Sequence, residues 1–137
     1  MGRILALDIG DRRIGYAVSD PFNSYALPLK TYTRVNIKTD LQYAVDLAKE
    51  KCADLIVCGL PVNADGTPSI QTDRTGHFIE RLRGVTDIKI ITIDERYTTV
   101  EAENELTQMD VSRREKKQYV DSLAAAFILE GYLNSKK

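Results

Sequence analysis

The sequence predicts an α/β domain with a mixed sheet flanked by helices. Three observations carry this. Ile4-Leu5-Ala6-Leu7 is a short, wholly apolar run, the pattern of a strand buried on both faces. Ile14, Tyr16 and Val18 then alternate with Gly15, Ala17 and Ser19, which marks a second strand joined to the first by a tight turn. Beyond residue 36, strand-like runs alternate with amphipathic helical stretches, the order expected of a sheet extended by parallel crossovers.

Each element follows from local pattern. Ser19-Asp20-Pro21-Phe22-Asn23 is a turn signal. A third strand is expected over about 25–32, at an edge or a bulge, because Pro28 has no N–H for a ladder. Leu41, Ala44, Val45, Ala48 and Cys52 fall at helical spacing and place a helix over about 37–51. Leu55-Ile56-Val57-Cys58-Gly59 reads as a buried strand parallel to the first. Residues 60–68, with two prolines and Gly66, form a long loop at its end, a location that often carries function. A helix over about 69–83 buries Phe78, Ile79 and Leu82, and a strand follows over 88–93. Thr98 and Glu101 stand at capping-box spacing and start a helix to about Met109. A last helix over about 117–133 presents Val120, Leu123, Ala124, Phe127 and Ile128 as its apolar face. The order is three strands, helix, strand, helix, strand, helix, helix, a five-stranded sheet in one domain spanning residues 1–137.

Composition narrows the class. The chain has 137 residues, 43% hydrophobic and 28% charged, the balance of an ordinary globular domain. No apolar run reaches membrane-spanning length and the N-terminus lacks a signal-peptide core, so a cytoplasmic protein with no membrane partner is expected. Cys52 and Cys58 match no metal spacing and read as reduced, buried thiols. His77 is the single histidine and falls on a helix, so a histidine metal site or a serine–histidine triad has little support. The net charge of −1 gives no global nucleic-acid signature. Locally, Arg113, Arg114, Lys116 and Lys117 form a basic cluster leading into the last helix.

Three acids stand where strand ends and a helix can bring them together. Asp8 closes the first strand, Glu95 follows the last, and Asp121 sits at the margin of the last helix's apolar face. Ala124, Ala125 and Ala126 allow that helix to approach the sheet closely. Carboxyl ends of strands in such sheets gather around one crevice. Three carboxylates there would repel one another unless a hard divalent cation, Mg²⁺ or Mn²⁺, lay between them. Two such ions can activate a water and stabilise the leaving oxygen of a phosphodiester. Each acid also has a plain structural reading, Asp8 as a turn residue and Asp121 as a first-turn helix acid. Alternation should aim only one of Asp94 and Glu95 inward, and spacing does not decide which.

Asp8-Ile9-Gly10-x-x-Arg13-Ile14-Gly15-x-Ala17-Val18-Ser19-Asp20 resembles the opening of the YqgF family, also called RuvX. Gly59-Leu60-Pro61-x-Asn63-x-Asp65-Gly66, Asp94-Glu95-Arg96-x-Thr98-Thr99 and Asp121-x-Leu123-Ala124-Ala125 resemble its later motifs, in order and over nearly the whole chain. The resemblance implies a ribonuclease H-like mixed five-stranded sheet, similar to the RuvC-type resolvases. It implies metal-dependent phosphodiester cleavage with Asp8, Glu95 and Asp121 as the acids. It also implies maturation of the 5′ end of 16S rRNA precursor, with Holliday-junction resolution as the alternative. Arg13, Arg96, Arg113, Arg114, Lys116 and Lys117 are the expected phosphate contacts. A resolvase would need a homodimer to cut two strands, whereas an RNA processor can act as a monomer. Two other classes are a noncatalytic RNA-binding assembly factor and, from the Asp8-Ile9-Gly10 opening alone, an actin-like nucleotide-binding lobe. The intact acids argue against the first. The absence of a second lobe within the 137 residues argues against the other.

Overall fold

The computed structural model describes residues 2–61, 67–95 and 113–136, and the side chains of residue 95 and of 113–121 lie outside that description. In chain order the described elements are β1 (Arg3–Ile9), β2 (Arg13–Ser19), β3 (Ala26–Pro28), β4 (Tyr32–Thr33), α1 (Ile37–Glu50), β5 (Ala53–Pro61), α2 (Ile70–Arg83), β6 (Lys89–Glu95) and α3 (Arg113–Ser135). The sheet order is β3-β2-β1-β5-β6, with β4 also paired to β2. β1 is central: β2 runs antiparallel to it, β5 parallel, and β6 adds parallel to β5. The expected helix over about 98–109 and most of the loop at 60–68 lie outside the described residues.

Alternation along β1 divides the core in two. Leu5, Leu7 and Ile9 join Ile14, Tyr16, Val18, Ile56 and Cys58 beneath α1 and α2. Ile4 and Ala6 join Ala17 and Val57 beneath Ala125, Ala126, Ile128, Leu129 and Leu133 of α3. A strand covered on both faces cannot carry a polar residue mid-length, which is why β1 is apolar until Asp8. The helices start on clear signals. Asn36 accepts the Thr39 N–H at 2.8 Å to cap α1. Ser69 caps α2 in a capping box with Thr72, whose hydroxyl also donates to the Pro61 carbonyl and ties that helix to the end of β5.

Four details differ from the sequence reading. The third strand is two short pieces, β3 and β4, both on β2: Pro28 ends the first, and the chain leaves the ladder before Tyr32 rejoins it opposite Ile14. The final helix begins at Arg113, so the basic cluster occupies its first turns and does not precede it. Its buried side includes Ala124 and Ile128 as expected, together with Ser122, Ala125, Ala126, Leu129 and Leu133, whereas Leu123 and Phe127 are only half-buried and the side chain of residue 120 lies outside the described residues. Cys52 is exposed: it takes a left-handed turn (φ 57°) just after Lys51 ends α1, whereas Cys58 is buried, with its thiol pKa pushed up to about 12 by desolvation. Among the described residues no helix is long and apolar enough to cross a membrane.

Tyr16 is fully buried against Tyr43 (ring centroids 5.5 Å apart), and its hydroxyl has no hydrogen-bond partner among the described residues. Burial, then the neighbouring Tyr43 and Cys58, push its pKa well above the usual tyrosine value. An unpaired buried hydroxyl is a net loss on folding. Tyr16→Phe should therefore leave the protein equally stable or raise its unfolding free energy by about 1 kcal/mol, as read by urea denaturation. A loss of stability instead would reveal a partner for the hydroxyl.

Candidate active site

Asp8 is the next-to-last residue of β1 and is half-buried. Its cross-strand neighbours are both glycines, Gly15 on β2 and Gly59 on β5. It is in phase with Ile4 and Ala6, on the α3 face of the sheet. At this level neither neighbouring strand contributes a side chain beside the carboxylate.

The last residue of β6 is Glu95, opposite Pro61. Register carries Asp8 through Gly59 to Ile93, so residue 95 lies two positions farther along and two strand spacings (about 9.5 Å) across. Position 95 is in phase with Ile91 and Ile93, which pack in the α3-side cluster. Asp94 is in phase with Ile90 of the opposite cluster and is exposed.

The third acid, Asp121, belongs to α3 and directly precedes Ser122. That serine is fully buried and its hydroxyl pairs with Thr31 Oγ1 at 3.0 Å. Thr31 lies between Leu29, whose N–H donates to the Tyr16 carbonyl, and Tyr32, which pairs with Ile14. The helix is thus docked level with residues 14–16, the stretch of β2 that contains the residue opposite Asp8. Residue 121 precedes Ala125, fully buried against the sheet, by one helical turn.

The turn after Asp8 is held by a network that sequence reasoning missed. Gly10 N–H donates to the Arg13 carbonyl at 2.9 Å, and a Cβ at Gly10 would stand 2.8 Å from that oxygen, so only glycine fits. Arg34 donates to the Gly10 carbonyl through Nη1 (2.9 Å) and to Asp40 Oδ2 through Nε (2.8 Å), while its backbone N–H meets the Arg12 carbonyl. Its guanidinium also lies over the Phe78 ring, 5.1 Å from the centroid. Asp40 is 1% exposed and accepts from Tyr32 Oη and Val35 N–H, both at 2.9 Å. Burial acts to raise its pKa, but the bond from Arg34, the Val35 N–H and the Tyr32 hydroxyl outweigh it and hold the carboxyl below its ordinary range. In the sequence Asp40 shows only as a first-turn helix acid, so its reach back to the hairpin carried no signal. The exposed pair Arg74–Asp11 (2.9 Å) crosses from α2 to the same turn and adds little energy.

Of the expected phosphate contacts, Arg13 opens β2 and is exposed. Arg113, Arg114, Lys116 and Lys117 fall in the first turns of α3, and Arg96 lies outside the described residues. His77 is exposed on α2. Among the described side chains no group of three potential metal ligands occurs.

Comparison with known proteins defines the class first. T. thermophilus RuvC in complex with a Holliday junction substrate superposes with a TM-score of 0.61 at 9% identity, covering 99% of this chain and 96% of that one. The Holliday junction resolvase of fowlpox virus gives 0.57 at 19% identity, covering 97% and 99%. The architecture is therefore the ribonuclease H-like fold of the resolvases. The sequence then identifies the family: residues 2–135 match RuvX, described as Holliday junction resolvase, and the chain belongs to that family. A relative from Clostridium tetani, named as a proposed pre-16S rRNA nuclease, is 44% identical over 97% of this chain and 96% of its own. A second of the same name, from Clostridioides difficile, is 44% identical over 98% and 96%.

Asp40→Asn should lower the unfolding free energy by about 3 kcal/mol at neutral pH, because it removes one member of a buried charge pair. The wild-type carboxyl has a depressed folded pKa. Its contribution is complete above the ordinary carboxylate value and is lost as pH falls through the folded one. Denaturant midpoints between pH 6 and 3 should therefore fall more steeply for the wild type than for Asp40→Asn. Parallel slopes would remove Asp40 from the acid response.

Proposed function

We propose that the chain is a metal-dependent nuclease that hydrolyses RNA phosphodiesters, and that its substrate is the 5′ end of 16S rRNA precursor. The observation that carries the reading is Asp8, at the carboxyl end of the central strand, between two glycines and level with the docking point of α3. Family membership and relatives named for pre-16S rRNA cleavage supply the reaction class and the substrate.

Asp8, Glu95 and Asp121 would hold the metal. The donor set fits a hard cation: three carboxylates and no thiolate or imidazole among them. Glutamate suits position 95, which stands farther from Asp8 and needs the longer side chain. Two Mg²⁺ or Mn²⁺ ions, when bound, supply an activated water and charge stabilisation at the leaving oxygen. The chain's own part is to fix geometry. The Arg34–Asp40 network holds the turn that follows Asp8, and the Thr31–Ser122 bond sets the height of α3. Glycine at 15 and 59 places no side chain beside Asp8 on the adjacent strands, which suits the approach of a phosphate. Arg13, Arg96 and the cluster at 113–117 hold flanking phosphates and position the strand. Such a role places the protein in the cytoplasm.

Junction DNA is the second reading, favoured by the family's description and by the RuvC fold. Cleavage of a 16S precursor fragment and of a four-way DNA junction, side by side with Mg²⁺, Mn²⁺ or chelator, separates the two. Metal-dependent cutting of the RNA alone is expected, with the protein monomeric. Paired symmetric cuts in the junction by a dimer would reverse the assignment.

Loss of a residue that merely supports a metal ligand reduces activity about 10- to 100-fold, so loss of a ligand should exceed that. Asp8→Asn should cut the cleavage rate by at least about 100-fold while the melting temperature and RNA binding persist; full activity in the pure variant would take Asp8 out of the site. Arg113→Gln with Arg114→Gln should weaken RNA binding and lower the slope of log K against log salt by about 2, one per lost phosphate contact. An unchanged slope would leave the cluster as a solvated helix face.

A further inference from the structure

The turn between β2 and β3 is built with unusual rigidity around aromatic side chains that face water. Asp20 is 3% exposed, and its carboxylate accepts N–H bonds from Ser24 (2.6 Å), Tyr25 (2.8 Å) and Phe22 (3.1 Å). Asn23 takes a left-handed conformation (φ 55°) and donates its N–H to the Asp20 carbonyl at 2.9 Å. Its side chain accepts from Ser19 Oγ at 2.5 Å and donates to the Gly2 carbonyl at 3.2 Å. Outside this polar frame stand Phe22, 83% exposed, and Tyr25, 53% exposed. A carboxylate is buried to fix a turn while a phenyl ring is left in solvent. Both are unfavourable in isolation, and together they present two aromatic rings on a backbone already ordered for binding.

The surroundings select the occupant. A protein strand adding to this edge would find β3 only three residues long and ended by Pro28, which has no N–H to donate. The turn's carboxylate, Asp20, is buried among N–H donors, and the one charged side chain over residues 21–31 is the exposed Lys30, which suits a polyanion. The same edge leads through Lys30 to Thr31, bonded to Ser122 beside Asp121. Tyr25 and Thr31 are six residues apart, about 20 Å of extended chain. We infer that Phe22 and Tyr25 form a base-stacking subsite for single-stranded nucleic acid, at the other end of the β3–β4 edge from the candidate active site. The inference rests on the nuclease reading above and adds a preference for unpaired bases. Stacking on aromatic rings tolerates any base and is closed to a paired duplex, whose bases are already stacked.

The chain contains no tryptophan, so Phe22→Trp introduces a single fluorescent reporter at the subsite. The probes are an unstructured RNA oligonucleotide, a fully paired RNA duplex of equal length and inorganic polyphosphate, all with chelator present so that no strand is cut. Saturable quenching by the single strand is expected, with little change from the duplex or the polyphosphate. The pair Phe22→Ala and Tyr25→Ala should weaken single-strand binding about tenfold or more with the salt slope unchanged, since stacking releases no counterions. Absence of quenching, or equal loss on single strand and duplex, overturns the subsite. So does a concentration-dependent blue shift of the reporter without RNA, with dimer formation by light scattering, which gives the surface to a second copy. The outcomes separate the two readings. Quenching by a wild-type-like protein that cuts no RNA leaves the subsite standing without the nuclease. Cleavage with unaltered binding in the alanine pair leaves the nuclease without the subsite.

Discussion

A strand paired on both edges and covered on both faces has one place for a charge, its carboxyl end, and the organisation of this protein follows from that constraint. β1 meets it by keeping residues 4–7 apolar and placing Asp8 one residue from its carboxyl end. The glycines at 15 and 59 complete the arrangement from both sides. An acid placed mid-strand would be desolvated without compensation; the same acid among side chains at the strand end would be crowded. Central position ties Asp8 to strands on both sides, and its neighbours at that level are both glycines.

Rigidity at a strand end is wasted if the following turn moves. Here the turn is fixed from outside the hairpin, by an arginine whose guanidinium bridges the Gly10 carbonyl and the buried Asp40. Burying Asp40 is tolerable only because Arg34, Val35 and Tyr32 together satisfy its oxygens. The hairpin, the first helix and Phe78 of the second helix thereby become one unit. Neutralising that carboxylate in acid would loosen the support of the turn before the apolar layers are touched.

Much of this was legible in the chain. Periodicity located the described helices and the long strands, because burial on one face or two leaves a direct mark on residue order. The three acids were legible as candidates because each stands at an element's end. Their relative heights were not: they depend on register between strands and on the docking of α3, which local patterns do not encode. The sheet faces taken by Asp94 and position 95 are set by strand phase, which the sequence left open. Two apolar-looking signals misled. Cys52 followed helical spacing but falls past the end of α1, and of the face expected on the last helix Ala124 and Ile128 are buried while Leu123 and Phe127 lie at its half-buried margin. The Asp40–Arg34 pair was hidden because a contact six residues apart across a loop-to-helix junction has no periodic signature.

The Thr31–Ser122 hydrogen bond joins positions 91 residues apart. Contacts of such separation form late, since the loop they close must first be ordered. During synthesis the β1–β2 hairpin, with its acid, leaves the ribosome long before α3 exists to cover the sheet. Until that helix docks, the Ala6–Ala17–Val57 face is bare and its acid at the strand end has no counterpart from the helix. A nascent chain thus carries Asp8 before the helix that bears Asp121 exists, and the two elements meet only on a chain that has finished its sheet.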